Sequence, residues 1–131
     1  MKVIRLTEIE GTDRDVFCPR GGFRSLRGLL AKDGMGFSMH WTVIPPNGPQ
    51  RWHYKNHLEA CWCIKGKGLL VDASTRQLHA IAPGSLYVLD KNDEHTFEAL
   101  EEVTLICVFN PPVTGAETHD ADGSYILGGG L

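Results

Sequence analysis

The sequence lacks both a long apolar stretch and an excess of positive charge. Its 131 residues are 42% hydrophobic and 22% charged, with a formal net charge of -3 at pH 7, which is ordinary for a globular domain. Residues 1–8 interrupt their apolar positions with charges, which excludes a signal peptide or a membrane span there. We therefore expect no membrane association, no nucleic-acid partner and a cytoplasmic location.

Cysteine is scarce, with four residues in the chain. Cys61, Cys63 and Cys107 lie in strand-like apolar runs, where small buried thiols are common. A chain of this length buries a core without disulfides. Cys61 and Cys63 are two positions apart and share one face of a strand. We expect reduced core residues there, and a soft-metal pair is the alternative.

Helical periodicity is also missing, apart from one turn near residues 7–14. Short apolar or alternating runs separated by Gly, Pro, Asn and Asp recur instead. They predict strands near residues 2–6, 23–30, 37–44, 58–65, 68–72, 77–81, 85–90, 95–99 and 103–110. So many short strands favour an all-β jelly-roll barrel, which leaves few free edges and can enclose a small ligand.

The chain shows no repeat and no linker, so we expect a single domain over residues 1–131. A short N-terminal strand should precede the barrel, and the tail from about residue 113 should form a flexible lid. Residues 121–124 and the glycines at 128–130 offer few anchors, which predicts loose packing at the end of the chain.

Three side chains near two of the predicted strands are candidates for one metal site. Glu59 lies at the mouth of an apolar strand, Tyr87 lies within another strand, and His95 follows one turn later. Two anionic oxygen ligands and a neutral imidazole balance a divalent charge and leave open positions, and these donors alone do not select one metal. Zinc could occupy the same ligands. Taken alone, Glu59 would more often be a structural carboxylate and Tyr87 a core residue.

The spacing of these residues resembles the two sequence motifs of the cupin superfamily, here at residues 48–66 and 84–95. Cupins usually place two histidines, one residue apart, shortly before the glutamate. Here His53 is followed two positions later by Lys55, whose ammonium group has no lone pair to give. Another residue must complete the ligand set, and Tyr87 is our candidate.

A closer resemblance, over nearly the whole chain, is to the ectoine synthases, which are small cupins. It rests on His-Tyr-Lys-Asn-His-Leu-Glu-Ala at residues 53–60, Pro-Gly-Ser-Leu-Tyr-Val-Leu-Asp at 83–90 and Cys-Val-Phe-Asn-Pro at 107–111. The resemblance is strong from Trp52 onward and weaker before Gly34. It implies iron(II) bound by Glu59, Tyr87 and His95.

The resemblance also implies a reaction. Ectoine synthases close N-γ-acetyl-L-2,4-diaminobutyrate into a cyclic amidine with loss of water, which gives a compatible solute used under osmotic stress. The implied catalytic residues are Tyr54, Glu59, Tyr87, His95 and His119. The implied substrate contacts are Phe23, Arg27, His40, Thr42, Tyr54, His57, Phe109, Glu117 and His119.

Some of these residues have an evident chemical role. Arg27 can hold both oxygens of a carboxylate, Glu117 can receive the substrate ammonium, and Phe109 can form an apolar wall. Tyr54 and His119 are candidate proton carriers, and the sequence does not assign acid and base between them. We expect the tail with Glu117 and His119 to fold over the barrel mouth and exclude water.

Two other functions stay open at this point. The first is a cupin enzyme of another reaction class on a small polar substrate, because Phe23 and Trp62 depart from the residues usual in the family. The second is a non-catalytic ligand-binding cupin. We also expect a homodimer, formed through the apolar strand at residues 103–109 together with the N-terminal strand.

Overall fold

The computed structural model of the protein describes residues 1–125. Within these residues, one short helix and ten strands follow each other, with a single 3-10 turn at Ala31–Asp33. The elements are α1 (Leu6–Ile9), β1 (Asp15–Cys18), β2 (Phe23–Leu29), β3 (Ser38–Ile44), β4 (Gln50–Trp52), β5 (Leu58–Lys65), β6 (Gly68–Asp72), β7 (Leu78–Ile81), β8 (Leu86–Leu89), β9 (His95–Ala99) and β10 (Val103–Asn110).

The strands form two antiparallel sheets. The larger sheet has the order β1-β2-β3-β10-β5-β8 and the smaller has the order β4-β9-β6-β7. Side chains alternate between buried and less buried along β3 and β9, because successive residues of a strand point to opposite faces of its sheet. The buried faces enclose the core, and the predicted all-β barrel is confirmed.

The N-terminal strand predicted near residues 2–6 is wrong. Residues 1–5 pair with no strand among the described residues, and Leu6–Ile9 form a helical turn that buries Ile9. The helix is shorter than the turn predicted for residues 7–14. No helix within residues 1–125 is long and apolar enough to cross a membrane.

Two short strands were missed. β1 pairs with β2 at the edge of the larger sheet, and β4 pairs with β9 at the edge of the smaller one. β4 has only three residues but directs Trp52 into the core. The Trp52 ring stacks on Phe97 with centroids 5.7 Å apart, and its indole N–H donates to the Gly21 carbonyl at 3.0 Å.

The tail from Val113 to Tyr125 crosses one end of the barrel. The Val113 N–H donates to the Ser38 hydroxyl at 2.9 Å. Near its end, the carboxylate of Asp120 accepts from the N–H groups of Asp122 and Ser124, and Ser124 and Tyr125 are buried. The expectation of loose packing at residues 121–124 is therefore wrong. The glycines at 128–130 lie outside the described residues.

Candidate active site

The inner faces of the sheets meet the tail around a small cavity of about 10 Å³. A cavity of this size has room for about one water molecule. It is lined by Phe23, Thr42, Ile44, Trp52, Tyr54, Glu59, Tyr87, Leu105, Cys107, Phe109 and Tyr125. Tyr125 belongs to the tail, so the tail forms part of the wall of this cavity.

Glu59 is the buried carboxylate of this cavity. It lies on β5, and burial raises its pKa to about 7, although the neighbouring thiols of Cys61 and Cys107 act in the opposite direction. Within residues 1–125, no lysine or arginine forms an ion pair with Glu59. A buried carboxylate without a cation is costly in its ionised form. The position therefore fits a metal cation.

His95 opens β9 and points one ring nitrogen into the barrel. Its Nδ1 lies 2.9 Å from the carbonyl oxygen of Asp93, and since a carbonyl only accepts, Nδ1 carries the proton. Nε2 is buried and has no hydrogen-bond partner among the described residues. Burial lowers the pKa of His95, so the ring is neutral and Nε2 has a free lone pair. Metal-binding histidines typically show this arrangement.

Tyr87 lies on β8, which pairs with β5 so that Tyr87 stands opposite Cys61. It lines the same cavity as Glu59, and its ring centroid is 6.4 Å from that of His95. Burial raises the pKa of Tyr87 well above 10, and the nearby Cys61 and Glu59 raise it further. Without a cation the phenol stays protonated, and a bound metal ion would be needed to favour the phenolate.

Two thiols lie close to Glu59. The Sγ atoms of Cys61 and Cys107 are 3.5 Å apart, and one oxygen of Glu59 and both sulfurs lie within 4.8 Å of one another. The neighbour of Cys61 is thus Cys107 on the adjacent strand, whereas the Cys63 thiol donates to the Lys65 carbonyl. All four cysteines are buried and free, which confirms the prediction of reduced core thiols.

Tyr54 and His119 form a buried pair between the barrel and the tail. The Tyr54 hydroxyl lies 2.7 Å from Nε2 of His119. Burial lowers the pKa of His119 to about 3 and raises that of Tyr54 well above 10, so both groups are neutral at pH 7. Either the phenol donates to Nε2 or Nε2–H donates to the phenol oxygen, depending on the tautomer of His119, so this hydrogen bond is a candidate path for a proton.

Arg27 is completely buried and holds the tail in place. Its guanidinium donates to the carbonyl oxygens of Gly115 at 2.8 Å and Glu117 at 2.7 Å, and to the Ser25 hydroxyl at 3.1 Å. The donors expected to bind a substrate carboxylate are thus occupied by the tail in this closed arrangement.

Glu117 is also satisfied within the tail. Its carboxylate accepts from the N–H groups of Thr114 and Gly115, both at 2.7 Å. Burial would raise the pKa of Glu117, but these backbone donors outweigh burial and lower it. The side chain is therefore anionic, as binding of an ammonium group requires.

The remaining substrate contacts implied by the sequence lie close to Phe109. The His40 and His57 rings approach Phe109 with centroids at 5.1 and 5.9 Å. Nε2 of His40 and Nδ1 of His57 are buried without a partner among the described residues. Thr42 and Phe23 line the cavity itself. These four residues thus lie against Phe109 or along the cavity wall.

Asn92 is a residue that the sequence did not identify. Its side-chain amide donates to the carbonyl oxygens of Tyr54 at 3.0 Å and His57 at 3.1 Å. Asn92 adopts φ = 52°, a left-handed conformation that Asn tolerates better than most residues. The turn at residues 91–93 was a usable signal, but its contact with the loop at residues 53–57 depends on the fold.

The fold defines the class of protein. The cupin domain of Schizosaccharomyces pombe Cnp3 matches this chain with a TM-score of 0.58 at 11% identity, over 73% of this chain and 64% of that chain. A likeness at this identity concerns the fold alone. The fold of this chain is therefore that of a cupin domain, as the spacing of its motifs predicted.

Closer relatives define the family. The ectoine synthase family model matches residues 1–128. The L-ectoine synthase of Desulfatibacillum aliphaticivorans is 53% identical over 125 residues, covering 95% of this chain and 96% of the relative. The crystal structure of ectoine synthase from P. lautus has a TM-score of 0.82 at 40% identity, over 88% of this chain and 81% of that chain. This chain belongs to the ectoine synthase family, and it is an enzyme of the hydro-lyase type.

Proposed function

We propose that the protein closes N-γ-acetyl-L-2,4-diaminobutyrate into L-ectoine with loss of one water. Family membership over residues 1–128 carries this proposal, and the relatives from Desulfatibacillum aliphaticivorans and Alkalilimnicola ehrlichii are both L-ectoine synthases. The product is a compatible solute, so the enzyme serves the response to osmotic stress. We place it in the cytoplasm, where four free cysteines stay reduced.

The reaction joins two ends of one molecule. The α-amine attacks the acetamide carbon, a C–N bond forms, and the acetamide oxygen leaves with two protons as water. The protein must fold the substrate so that the amine reaches the carbon, and it must keep bulk water out. Phe109 and Thr42 are the walls against which the substrate folds, and the tail is the lid.

Glu59, Tyr87 and His95 would hold iron(II), and zinc is a substitute. The chemistry of the donors supports this assignment, because Glu59 is a buried carboxylate without an ion-pair partner in residues 1–125 and Nε2 of His95 is unpartnered there. When bound, the metal ion supplies a Lewis acid that polarises the acetamide carbonyl.

The pair Tyr54 and His119 moves protons. The attacking amine must lose protons and the departing oxygen must gain them, so a neutral pair that shares one hydrogen bond serves both needs. The pair is buried between the barrel and the tail, where bulk water does not compete for the proton.

Substrate binding and tail opening are coupled in this proposal. A substrate carboxylate on Arg27 replaces the carbonyl oxygens of Gly115 and Glu117. A substrate ammonium on Glu117 competes with the N–H donors of Thr114 and Gly115. Each substrate group therefore takes over a contact of the tail, so the tail moves to admit the substrate and closes over it again before the reaction.

We also propose a homodimer, with a different contact from the one expected. The strand at residues 103–109 is not an edge, because β10 lies between β3 and β5. The edge strand β8 exposes half or more of Leu86 and Val88, and Trp62 lies beside them on β5. Analytical ultracentrifugation should show a dimer for the wild type and a monomer for Val88→Glu. A monomeric wild type would contradict the proposal.

The function is tested by following ectoine formation by NMR with the iron-loaded protein, the metal-free protein, Glu59→Gln and His95→Gln. Ectoine should form with the iron-loaded wild type and the iron-loaded control, and not with the metal-free protein, Glu59→Gln or His95→Gln. Glu59→Gln and His95→Gln should fold but bind less iron. The control is His79→Gln, an exposed histidine on β7. A folded, iron-loaded wild type that leaves the substrate unchanged would disprove the function.

A further inference from the structure

Two thiols share Glu59 with the proposed iron ligands. Cys61 on β5 and Cys107 on β10 are direct cross-strand neighbours, and their side chains point into the barrel, where both are buried. The two sulfurs are 3.5 Å apart, and an oxygen of Glu59 completes a group whose atoms lie within 4.8 Å of one another.

These distances match those around a thiolate-bound metal. A zinc ion with Zn–S bonds of about 2.3 Å and tetrahedral angles holds two sulfurs ~3.8 Å apart. The sulfurs of Cys61 and Cys107 need only a small outward shift to reach that separation. Thiolates also select softer metals than a carboxylate, a phenolate and an imidazole do.

We propose that Glu59, Cys61 and Cys107 form a second metal site, specific for thiophilic cations such as Cd²⁺. Binding breaks the two S–H bonds, releases both protons to solvent and forms two metal–sulfur bonds. One Glu59 oxygen completes the three protein ligands. The remaining coordination position faces the cavity that Cys107, Thr42 and Tyr87 line.

The two sites exclude one another. The cavity of about 10 Å³ has room for about one ion or water, and both sites need Glu59. A thiophilic ion at Cys61 and Cys107 therefore prevents iron binding at Tyr87 and His95. This exclusion rests on the proposed function, whereas the thiol site itself does not.

The chain provides a matched control. Cys63 is two residues from Cys61 and is equally buried, but its sulfur contacts the carbonyl oxygens of Lys65 and Gly66. Cys61→Ser and Cys63→Ser therefore make the same chemical change on one strand. The first lies inside the proposed site and the second lies outside it. Cys107→Ser is a second disruption on another strand.

The test is a titration of the metal-free full-length protein with cadmium chloride, followed by the ultraviolet thiolate-to-cadmium charge-transfer absorbance and by cadmium NMR. The wild type and Cys63→Ser should bind one Cd²⁺ with this absorbance, which should be lost in Cys61→Ser and in Cys107→Ser. Circular dichroism shows whether each variant folds. If Cys61→Ser or Cys107→Ser fails to fold, the result for the other of these two variants is used. No thiolate band in the wild type, or an unchanged band in a folded Cys61→Ser or Cys107→Ser, would overturn the proposal.

One further variant separates this proposal from the function. His95→Gln should keep the cadmium band and lose iron, because it removes a ligand from only one site. A cadmium band without any ectoine formation would support the thiol site and contradict the function. Ectoine formation without a cadmium band would support the function and contradict the thiol site. In the wild type, loading with Cd²⁺ should abolish iron uptake, and simultaneous binding of both metals would disprove the exclusion.

Discussion

The hydroxyl of Tyr54 lies 2.7 Å from Nε2 of His119, although 65 positions separate the two residues in the chain. One partner belongs to the loop before β5 and the other to the tail. The same hydrogen bond therefore closes the lid and joins the two candidate proton carriers.

Removing that hydroxyl should affect the reaction more than the fold. Tyr54→Phe loses one hydrogen bond, which costs about 1 kcal/mol of unfolding free energy. It also removes a proton carrier, which should lower kcat about 100-fold. The comparison is Tyr125→Phe, whose hydroxyl has only a 3.4 Å contact with Arg27 and should matter less. Equal losses of kcat in both variants would contradict a proton-transfer role for Tyr54.

The buried histidine of the tail predicts how stability depends on pH. Burial lowers the pKa of His119 from 6.5 to about 3, so between these values the unfolded chain binds the extra proton. The stabilisation by neutral His119 is therefore complete above about pH 6.5 and is lost as the pH falls toward 3. His40, His57 and His95 act in the same direction, since burial lowers each of their pKa values. Urea unfolding between about pH 7 and about pH 5 should show a smaller loss for His119→Gln than for the wild type, and equal losses would refute the assignment.

Arg27 should keep the tail closed through the geometry of its donors. Arg27→Lys keeps the charge but loses the fork that reaches Gly115 and Glu117 together. Losing about 1.5 kcal/mol of hydrogen bonding should speed amide exchange at residues 113–125 about 10-fold. Arg20→Lys, at an exposed position, is the control. Unchanged exchange in Arg27→Lys would show that other contacts hold the tail.

Gly21 should tolerate no side chain. A Cβ at this position would overlap the Phe23 ring and lie 2.8 Å from Nδ1 of His119. Gly21→Ala should therefore displace both aromatic rings and reduce activity at least ~10-fold. Gly28→Ala is the control, because its nearest neighbours would be 3.8 Å away. Activity assays that find both variants equal to the wild type would contradict the packing described here.

Asn92 should position the loop that carries Tyr54 and His57. Asn92→Asp keeps the size of the side chain but replaces its donor with an acceptor that faces two carbonyl oxygens. Losing two hydrogen bonds should cost about 2 kcal/mol of unfolding free energy, measured by urea unfolding. Asn47→Asp, at an exposed position, should leave stability unchanged. An Asn92→Asp variant as stable as the wild type would show that these hydrogen bonds do not hold the loop.

The sequence predicted most of the barrel, because its longer strands are bounded by clear turn residues. The bounds of β5, β6, β9 and β10 agree with the prediction. The strands of three and four residues at β4 and β1 are too short for alternation to be recognised. The alternation at residues 2–6 predicted a strand, but a strand also needs a neighbour, which local sequence cannot supply.

The candidate site was less predictable where it depends on contacts across the sheets. Motif spacing and the family resemblance predicted Glu59, Tyr87 and His95 as candidate metal ligands, because both can be read from local sequence. The contact between Cys61 and Cys107 depends on the register of β5 with β10, which no local pattern specifies. The hydrogen bond from the Arg27 guanidinium to the Gly115 carbonyl joins residues that are 88 positions apart in the chain. Local sequence cannot predict such a contact.

The position of β10 has a consequence for folding during synthesis. β10 is the last strand within residues 1–125, yet it lies between β3 and β5 in the larger sheet. Until residues 103–110 leave the ribosome, β3 and β5 both expose unpaired backbone groups. Such open edges are sites of aggregation, so a nascent or truncated chain that ends before Val103 should depend on chaperones far more than the complete protein does.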